Sequence, residues 1–410
     1  MKQSEKEFII KAYSSVPMYI EMAKELGIDI NNIKELEELP TITKEQVMLN
    51  NSIIANDAIP LMYSNKLIER HTSGSTGKYM NIYWKKSDYN MSMLPLWVKR
   101  KKHYGINPDD KMCFFYTMIE VENEHDTYSN KTQLGFSKSK LDDDNLHKVF
   151  RQMREFSPKW LQLQPSIGLL LCQFMDKYDI EPISTLTYIE MSGEILTKEA
   201  RQEIENHFKC KVVDQYGANE FNSIAYECPE GNMHIMESNV IVEILNNGVS
   251  VKDNTEGELY ITTRWNSAMP LIRYRIGDIG KICTGKCNCG SNWKMFKLTS
   301  GRINDYILCE DGSKVTVDVL VRAISAVNQT LDSVIRQFKI VQNDINDFNI
   351  TLVVDEEDLD SCCEIEEIFR LSVRDERLYG SSYTFEYSTE IINNEENGKL
   401  AYFRRNIEWE

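Results

Sequence analysis

No run of about 18 apolar residues occurs in this 410-residue sequence, so no segment reads as a membrane-spanning helix. The opening stretch MKQSEKEFIIKAYSSVP also lacks an apolar core of signal-peptide length, and the expected location is cytoplasmic. Long basic runs are missing too. With 47 Lys and Arg against 63 Asp and Glu, the formal net charge is -16, which argues against a nucleic-acid-binding surface. A local cationic pocket for a nucleotide stays compatible with that balance. There is no internal repeat and no low-complexity tract. Cysteine is not scarce: the chain has ten. At this size and in this expected compartment they read as reduced thiols, some of them metal ligands, and not as a disulfide framework.

What is present has the periodicity of an α/β protein, and the length calls for two or more domains. Residues 4–26 carry helical apolar spacing, and Thr43 ahead of KEQV reads as a helix N-cap. Between 85 and 215, the helical stretches NLHKVFRQMREF and LTKEARQEIENHF alternate with the short apolar strands KMCFFYTM, LTYIEMS and KVVDQYG. That alternation predicts an α/β sheet. After residue 220 the signals become strands with Gly and Asn turns, as in NVIVEILNNGVSV and GELYITTRW, which predicts a β-rich subdomain. LTSGRINDYI then opens a region of about one hundred residues with strand-helix-strand character, placing a boundary near residue 302.

The chemistry starts in RHTSGSTGKYMNIYW, residues 70–84. A Walker A loop is excluded, because Gly74 and Gly77 are too close together and Tyr79 follows Lys78. The composition still suits phosphate: glycines let backbone N–H groups approach an anion, Ser73, Ser75 and Thr76 add hydroxyl donors, and Lys78 adds charge. The alternating MNIYW behind it reads as a strand, so the loop would be a hairpin-like clamp. A solvated turn accounts for the loop taken alone. Further on, VVDQYGANE supplies an aromatic face at Tyr216, a glycine for close approach at Gly217 and a carboxylate suited to Mg²⁺ at Glu220. In MPLIRYRIGDIG, Asp278 follows a Gly turn and is a bidentate acceptor for two ribose hydroxyls. SGRIND contributes Arg302 and ENGKLAYFRR contributes Lys399. Each of these, alone, also fits an ordinary turn.

In this order, together with SSVPMYIEMAKELGI, LPTITKEQV, MSGEILTKEARQEIENHF, DQYGANEFNSIAYECPEGNMHI and AMPLIRYRIGDIGKI, the segments resemble the adenylate-forming superfamily of acyl-CoA synthetases, specifically its phenylacetate-CoA ligase branch. The resemblance covers nearly the whole chain. It implies a large N-terminal adenylation domain over 1–301, with a helical lead-in over 1–50 and the β-rich subdomain at about 221–300. A small mobile α+β C-terminal domain would follow over 302–410. By the same resemblance, Ser73, Gly74, Ser75, Thr76, Gly77 and Lys78 close over the β- and γ-phosphates of ATP. Ser192, Gly193, Glu194, Asp214 and Tyr216 form the adenine slot beside Gly217 and Asn219. Glu220 holds Mg²⁺, Asp278 the ribose, and Arg302 the ribose end near the hinge. Lys399 is the mobile lysine between substrate carboxylate and α-phosphate. A carboxylate approaching a phosphate brings two anions together, so a cation and a metal must offset the developing charge.

The implied activity is ATP-dependent conversion of a small carboxylic acid, aryl or arylacetic, to an acyl-adenylate. Transfer to CoA follows, with AMP and pyrophosphate released. Transfer to an amine or to a carrier-protein thiol is the alternative. Neither nucleic acid nor membrane is an expected partner, and a homodimer is compatible. The sequence departs from the family pattern at Tyr79, where proline is usual, at Asn219 in place of threonine, and at Asn304 in place of the hinge aspartate. The largest departure is YTMIEVENEHDTYSN, where relatives have a glycine-rich apolar stretch bordering the acyl pocket. Tyr116, Thr117 and Glu120 are the pocket candidates there. Charge runs usually face water, but a carboxylate turned into the pocket would call for an amine or hydroxyl on the substrate or nucleophile.

The cysteines suggest a second site. ECPEGNMH gives Cys228 and His234, and CTGKCNCG gives Cys283, Cys287 and Cys289. Cys228, His234, Cys287 and Cys289 make a Cys3His set for a structural Zn²⁺, with Cys283 the spare. Free thiols near a turn are the alternative, since the spacing is not that of a zinc finger.

Overall fold

Pro17 decides the first feature of the computed structural model, which describes residues 1–49, 53–71, 80–116, 127–137, 141, 143–300, 306–331, 334–389 and 402–407. The apolar spacing of 4–26 is continuous, yet the chain forms two helices, α1 (Gln3–Ser15) and α2 (Pro17–Leu26). Proline has no N–H to give and forces the residue before it out of the helical region, so Val16 is extended at φ -101°, ψ 116°. α3 (Lys44–Leu49) starts from a capping box: the Gln46 amide donates to Thr43 Oγ1 (3.4 Å) and the Thr43 amide to Gln46 Oε1 (2.9 Å). A short α4 (Ile59–Tyr63), the antiparallel pair β1 (Ile68–His71) and β2 (Asn81–Trp84), and α5 (Lys86–Tyr104) follow.

Two compact units divide the structure, each made of two stretches of chain: 1–108 with 215–302, and 109–214 with 303–410. The 109–214 stretch contains β3 (Met112–Tyr116), β4 (Thr127–Ser129), β5 (Gln133–Ser137), α6 (Asp143–Phe156), β6 (Trp160–Leu163), α7 (Pro165–Tyr178), β7 (Tyr188–Ser192), α8 (Lys198–Phe208) and the start of β8 (Lys211–Ala218). Its strand order is β8-β7-β6-β3-β5-β4, with β5, β3, β6 and β7 mutually parallel. Strand residues alternate between two faces. Cys113, Phe115, Leu161, Leu163, Ile189 and Met191 share a core with Val149, Met153, Leu171 and Ile204 of the three helices. Phe114, Tyr116, Trp160, Gln162, Tyr188 and Glu190 are therefore on the opposite face. Thr197 caps α8 by accepting from the Ala200 amide at 3.1 Å.

The 215–302 stretch is β-rich, as its turn chemistry predicts. It holds the end of β8 with β9 (Asn222–Glu227), β10 (Met233–Ile235), β11 (Val240–Asn246), β12 (Val249–Ser250), β13 (Gly257–Thr263), β14 (Tyr274–Cys283) and β15 (Met295–Ser300). The order is β12-β11-β13-β14-β15-β10-β9-β8. Ile9, Tyr19, Ile42, Trp84, Phe221, Leu271 and Tyr274 share this unit's core. Buried Tyr19 is satisfied at both ends of its hydroxyl, donating to Pro270 O (2.9 Å) and accepting from the Ile272 amide (3.0 Å).

In the last stretch, β16 (Tyr306–Leu308) pairs with β17 (Lys314–Thr316), and α9 (Asp318–Thr330) and α10 (Cys362–Ser372) share a core with a four-stranded sheet. That sheet comprises β18 (Gln337–Asp344), β19 (Asp347–Val353), β20 (Ser382–Ser388) and β21 (Phe403–Arg405), in the order β20-β19-β18-β21. The fold is mixed α/β throughout. Among the described residues, no helix is long and apolar enough to cross a membrane.

Candidate active site and metal centre

In the unit formed by 1–108 and 215–302, the turn from β8 into β9 is fixed from several sides. Its register shifts between Tyr216 and Gly217. A Cβ on Gly217 would collide with the Asn222 carbonyl oxygen and the Gln215 side chain, so only glycine fits. Asn219 lies in this turn, where its carbonyl accepts from Trp84 Nε1 at 3.2 Å, and Glu220 beside it is buried. Asn222 takes a left-handed conformation (φ 61°) and donates to Ser92 Oγ at 2.6 Å. Asn239 donates to the carbonyls of Phe221 (2.8 Å) and Ser223 (2.6 Å). No role was read for Ser92, Asn222 or Asn239 from the sequence, and it is visible only once the strands are paired.

Tyr216 stacks on Phe296 (5.7 Å, 17°) and donates its hydroxyl to Asp278 Oδ2 at 2.5 Å. The expected Gly turn before Asp278 is not a turn. Gly277, at φ 94°, and Asp278 lie inside β14, where the register against β13 shifts between Glu258 and Tyr260. This irregularity accommodates the extra residues without ending the strand. The sequence shows a Gly-Asp pair but not the partner strand that continues past it.

In the other unit, Ser192 ends β7 and Gly193 follows at φ 86°. Glu194 then reaches the start of α7, accepting from the Ser166 amide (3.0 Å) and the Ser166 hydroxyl (2.9 Å). A carboxylate at a helix N-terminus meets exposed amides and the positive end of the helix dipole. Asp214 is half-buried in β8, and Tyr116 is the last residue of β3, its ring 5.9 Å from that of Phe114. Ser73, Gly74, Ser75, Thr76, Gly77, Lys78, Thr117, Glu120, Arg302 and Lys399 lie outside the described residues.

The four metal-ligand candidates are brought together within the first unit. The ligand atoms of Cys228, His234, Cys287 and Cys289 all lie within 4.8 Å of one another. Cys228 Sγ is 3.6 Å from Cys287 Sγ, and Cys289 Sγ is 3.4 Å from His234 Nε2. A tetrahedral Zn²⁺ with Zn–S near 2.3 Å and Zn–N near 2.0 Å would hold these pairs about 3.8 and 3.5 Å apart, so the set fits such an ion. His234 Nδ1 lies 2.9 Å from the Trp293 carbonyl, which can only accept. That puts the proton on Nδ1 and the lone pair on Nε2, toward the thiols. The Asn232 side chain and the Ser291 amide donate to the sulfurs of Cys287 and Cys289, both at 3.4 Å. Burial pushes the Cys228 thiol up to about 12. At Cys287 burial is outweighed by the hydrogen bond from the Cys289 amide together with the neighbouring His234, Cys289 and Asn232 side chains, and the thiol falls to about 6. Cys283 closes β14 and is not among the four.

No family model matches the chain. Protein CapK of Staphylococcus aureus is 28% identical over 331 residues, which are 78% of this chain and 70% of that protein. The phenylacetate-coenzyme A ligase of Thermus thermophilus is 23% identical over 346 residues, 82% of this chain and 76% of the ligase. Among solved structures, 2-hydroxyisobutyryl-CoA ligase in the postadenylation state, in complex with 2-HIB-AMP, superposes with a TM-score of 0.75 at 16% identity. That superposition covers 98% of this chain and 87% of the ligase. The resemblance read from the ordered motifs is thus met by likeness in sequence and, separately, in fold.

Proposed function

We propose that this chain, an adenylate-forming enzyme by likeness of sequence and fold, is an AMP-forming carboxylic acid:CoA ligase acting on an aryl or arylacetic acid. The observation that carries this reading is a single one. The likeness to phenylacetate-coenzyme A ligases covers up to 82% of the chain that bears the ordered motifs, and the likeness in fold to an acyl-CoA ligase covers 98% of it. In the first half-reaction a substrate carboxylate oxygen attacks the α-phosphorus of ATP and pyrophosphate leaves. In the second, the CoA sulfur attacks the acyl carbon, the thiol proton is lost, and AMP leaves.

Within this reading, Ser73–Lys78 grip the outer phosphates and Tyr216 and Asp278, already hydrogen-bonded to each other, take adenine and ribose. Ser192, Gly193, Glu194, Asp214, Gly217 and Asn219 complete the nucleotide contacts, and Arg302 supports the ribose end. Lys399 meets the charge that develops between carboxylate and phosphate. Glu220 would hold Mg²⁺, which would offset phosphate charge. Cys228, His234, Cys287 and Cys289 would hold Zn²⁺ structurally, since four protein ligands leave no position for substrate. Residues 302–410 would be the part that moves between half-reactions.

The divergent segment around Glu120 supports a second reading for the acceptor alone, in which an amine or a carrier-protein thiol replaces CoA. Pyrophosphate exchange into ATP across a panel of carboxylic acids, followed by trapping with CoA, amines and hydroxylamine, tests both. Absence of exchange with every acid would sink the adenylation reading, and trapping by an amine but not CoA would replace the first acceptor with the second.

A further inference from the structure

α5 carries a cation to the four metal-ligand candidates without an acid to meet it. Lys99 is half-buried, and its Nζ lies 4.3 Å from the centre of the Trp293 ring. Trp293 is also the residue whose carbonyl faces His234 Nδ1 at 2.9 Å, so the cation stands on the residue that orients the imidazole. The helix is held there from a second side. Tyr104, near its end, donates to the Glu227 carbonyl at 3.0 Å and meets the ring of Tyr226 edge-on at 6.0 Å. Glu227 ends β9, and Cys228 follows it.

A cation drawn partly out of water costs free energy unless an anion meets it. No carboxylate among the described residues forms an ion pair with Lys99, and none is among the charges that act on it. Burial lowers its pKa and exposed Lys102 lowers it further, while Cys289 and Cys228 act in the opposite direction. The anionic partners of this lysine are thus two of the sulfurs assigned to the metal. Three thiolates and a neutral imidazole around Zn²⁺ leave one net negative charge, and such a centre needs a cation as much as the lysine needs an anion.

Resting on the zinc assignment above, we propose that Lys99 is the counter-ion of the metal centre. It is a positioning residue and not a ligand: its charge favours the thiolate form of the cysteines, and its contact with Trp293 steadies the carbonyl that fixes His234. Losing the charge therefore weakens metal binding even where the fold is kept.

The test is zinc affinity, read by chelator competition on the full-length protein, for wild type, Lys99→Arg, Lys99→Met and Lys99→Glu, with thermal melts of the zinc-loaded proteins to confirm folding. Expected is an affinity close to wild type for Lys99→Arg, a loss of about 10–100-fold for Lys99→Met, and a larger loss for Lys99→Glu. An order that follows charge marks a counter-ion, because Met keeps most of the apolar stem that packing alone would require. Should Lys99→Glu not fold, the comparison of Arg with Met decides. Unchanged affinity in Lys99→Met, or a loss in Lys99→Arg equal to that in Lys99→Met, overturns the proposal while leaving the zinc site in place. Wild-type protein that binds no zinc overturns both.

Discussion

A lysine that meets charge only as it develops should matter to the reaction and hardly at all to binding. Lys399→Ala is therefore expected to slow pyrophosphate exchange by about 10²–10³-fold, the loss typical of one donor to a developing oxyanion, with ATP affinity nearly unchanged. A variant exchanging at the wild-type rate would remove the assignment. Glu220→Gln keeps the shape of the side chain and removes the charge of a hard oxygen ligand, so the Mg²⁺ concentration needed for half-maximal activity should rise more than the KM for ATP. An unchanged Mg²⁺ requirement would count against it. Cys287→Ser should lower zinc in protein purified without added metal from about one ion per chain, and destabilise the fold by a few kcal/mol at most. Retention of full zinc would exclude that ligand. The four metal-ligand candidates were legible because thiols and imidazole are chemically distinctive; the sequence brings Cys228 and His234 close in number, and only strand pairing brings Cys287 and Cys289 to them. Glu190 was not legible. One acid inside LTYIEMS looks like the solvent side of an alternating strand until the second face of the sheet is seen to be buried as well.

Elements were legible where the signal is local and misread where a partner decides. The cap at Thr43 is set by side chains within a few residues, and its helix begins where that residue says. Residues 4–26 become two helices because one missing N–H at Pro17 outweighs continuous apolar spacing. The Gly277-Asp278 pair is a bulge and not a turn because β13 supplies partners on both sides of it. At the β8–β9 turn, the same long-range packing makes Gly217 irreplaceable. Gly217→Ala should cost about 1–3 kcal/mol, as overpacking against fixed backbone does, because the Asn222 carbonyl cannot rotate away as a flexible side chain would. Denaturant melts should show the lower midpoint, and equal stability of the two proteins would mean that the turn can open without loss.

At the scale of the whole molecule, the balance of -16 is spread over a chain in which ion pairs among the described residues mostly keep at least one partner exposed, as in Lys177–Asp143 and Lys281–Glu256, and are individually weak. One network instead spans both stretches of a unit. Asp176 of α7 lies 2.8 Å from His207 Nε2 of α8 and 3.9 Å from Arg336, which also pairs with Asp355 at 2.5 Å. His207 Nδ1 faces the Glu203 carbonyl at 2.9 Å and the Glu203 carboxylate at 3.6 Å. Burial alone would lower the imidazole, but the Glu203 carbonyl and the Asp176 carboxylate outweigh it and raise it above its ordinary value. A group whose pKa is higher in the folded state stabilises that state when protonated in both states. The contribution is thus full below the ordinary histidine value near 6.5 and disappears as pH rises through the raised folded value. His207→Gln removes the titration while keeping hydrogen-bonding capacity. Wild type should therefore exceed this variant in stability by up to about 1 kcal/mol near pH 6, the half-exposed Asp176 limiting the gain, and the excess should shrink toward pH 9. Thermal melts across that range read the difference directly. A gap between the two proteins that stays constant with pH would show that the imidazole is held by packing, and that its charge does not couple α7, α8 and the 303–410 stretch.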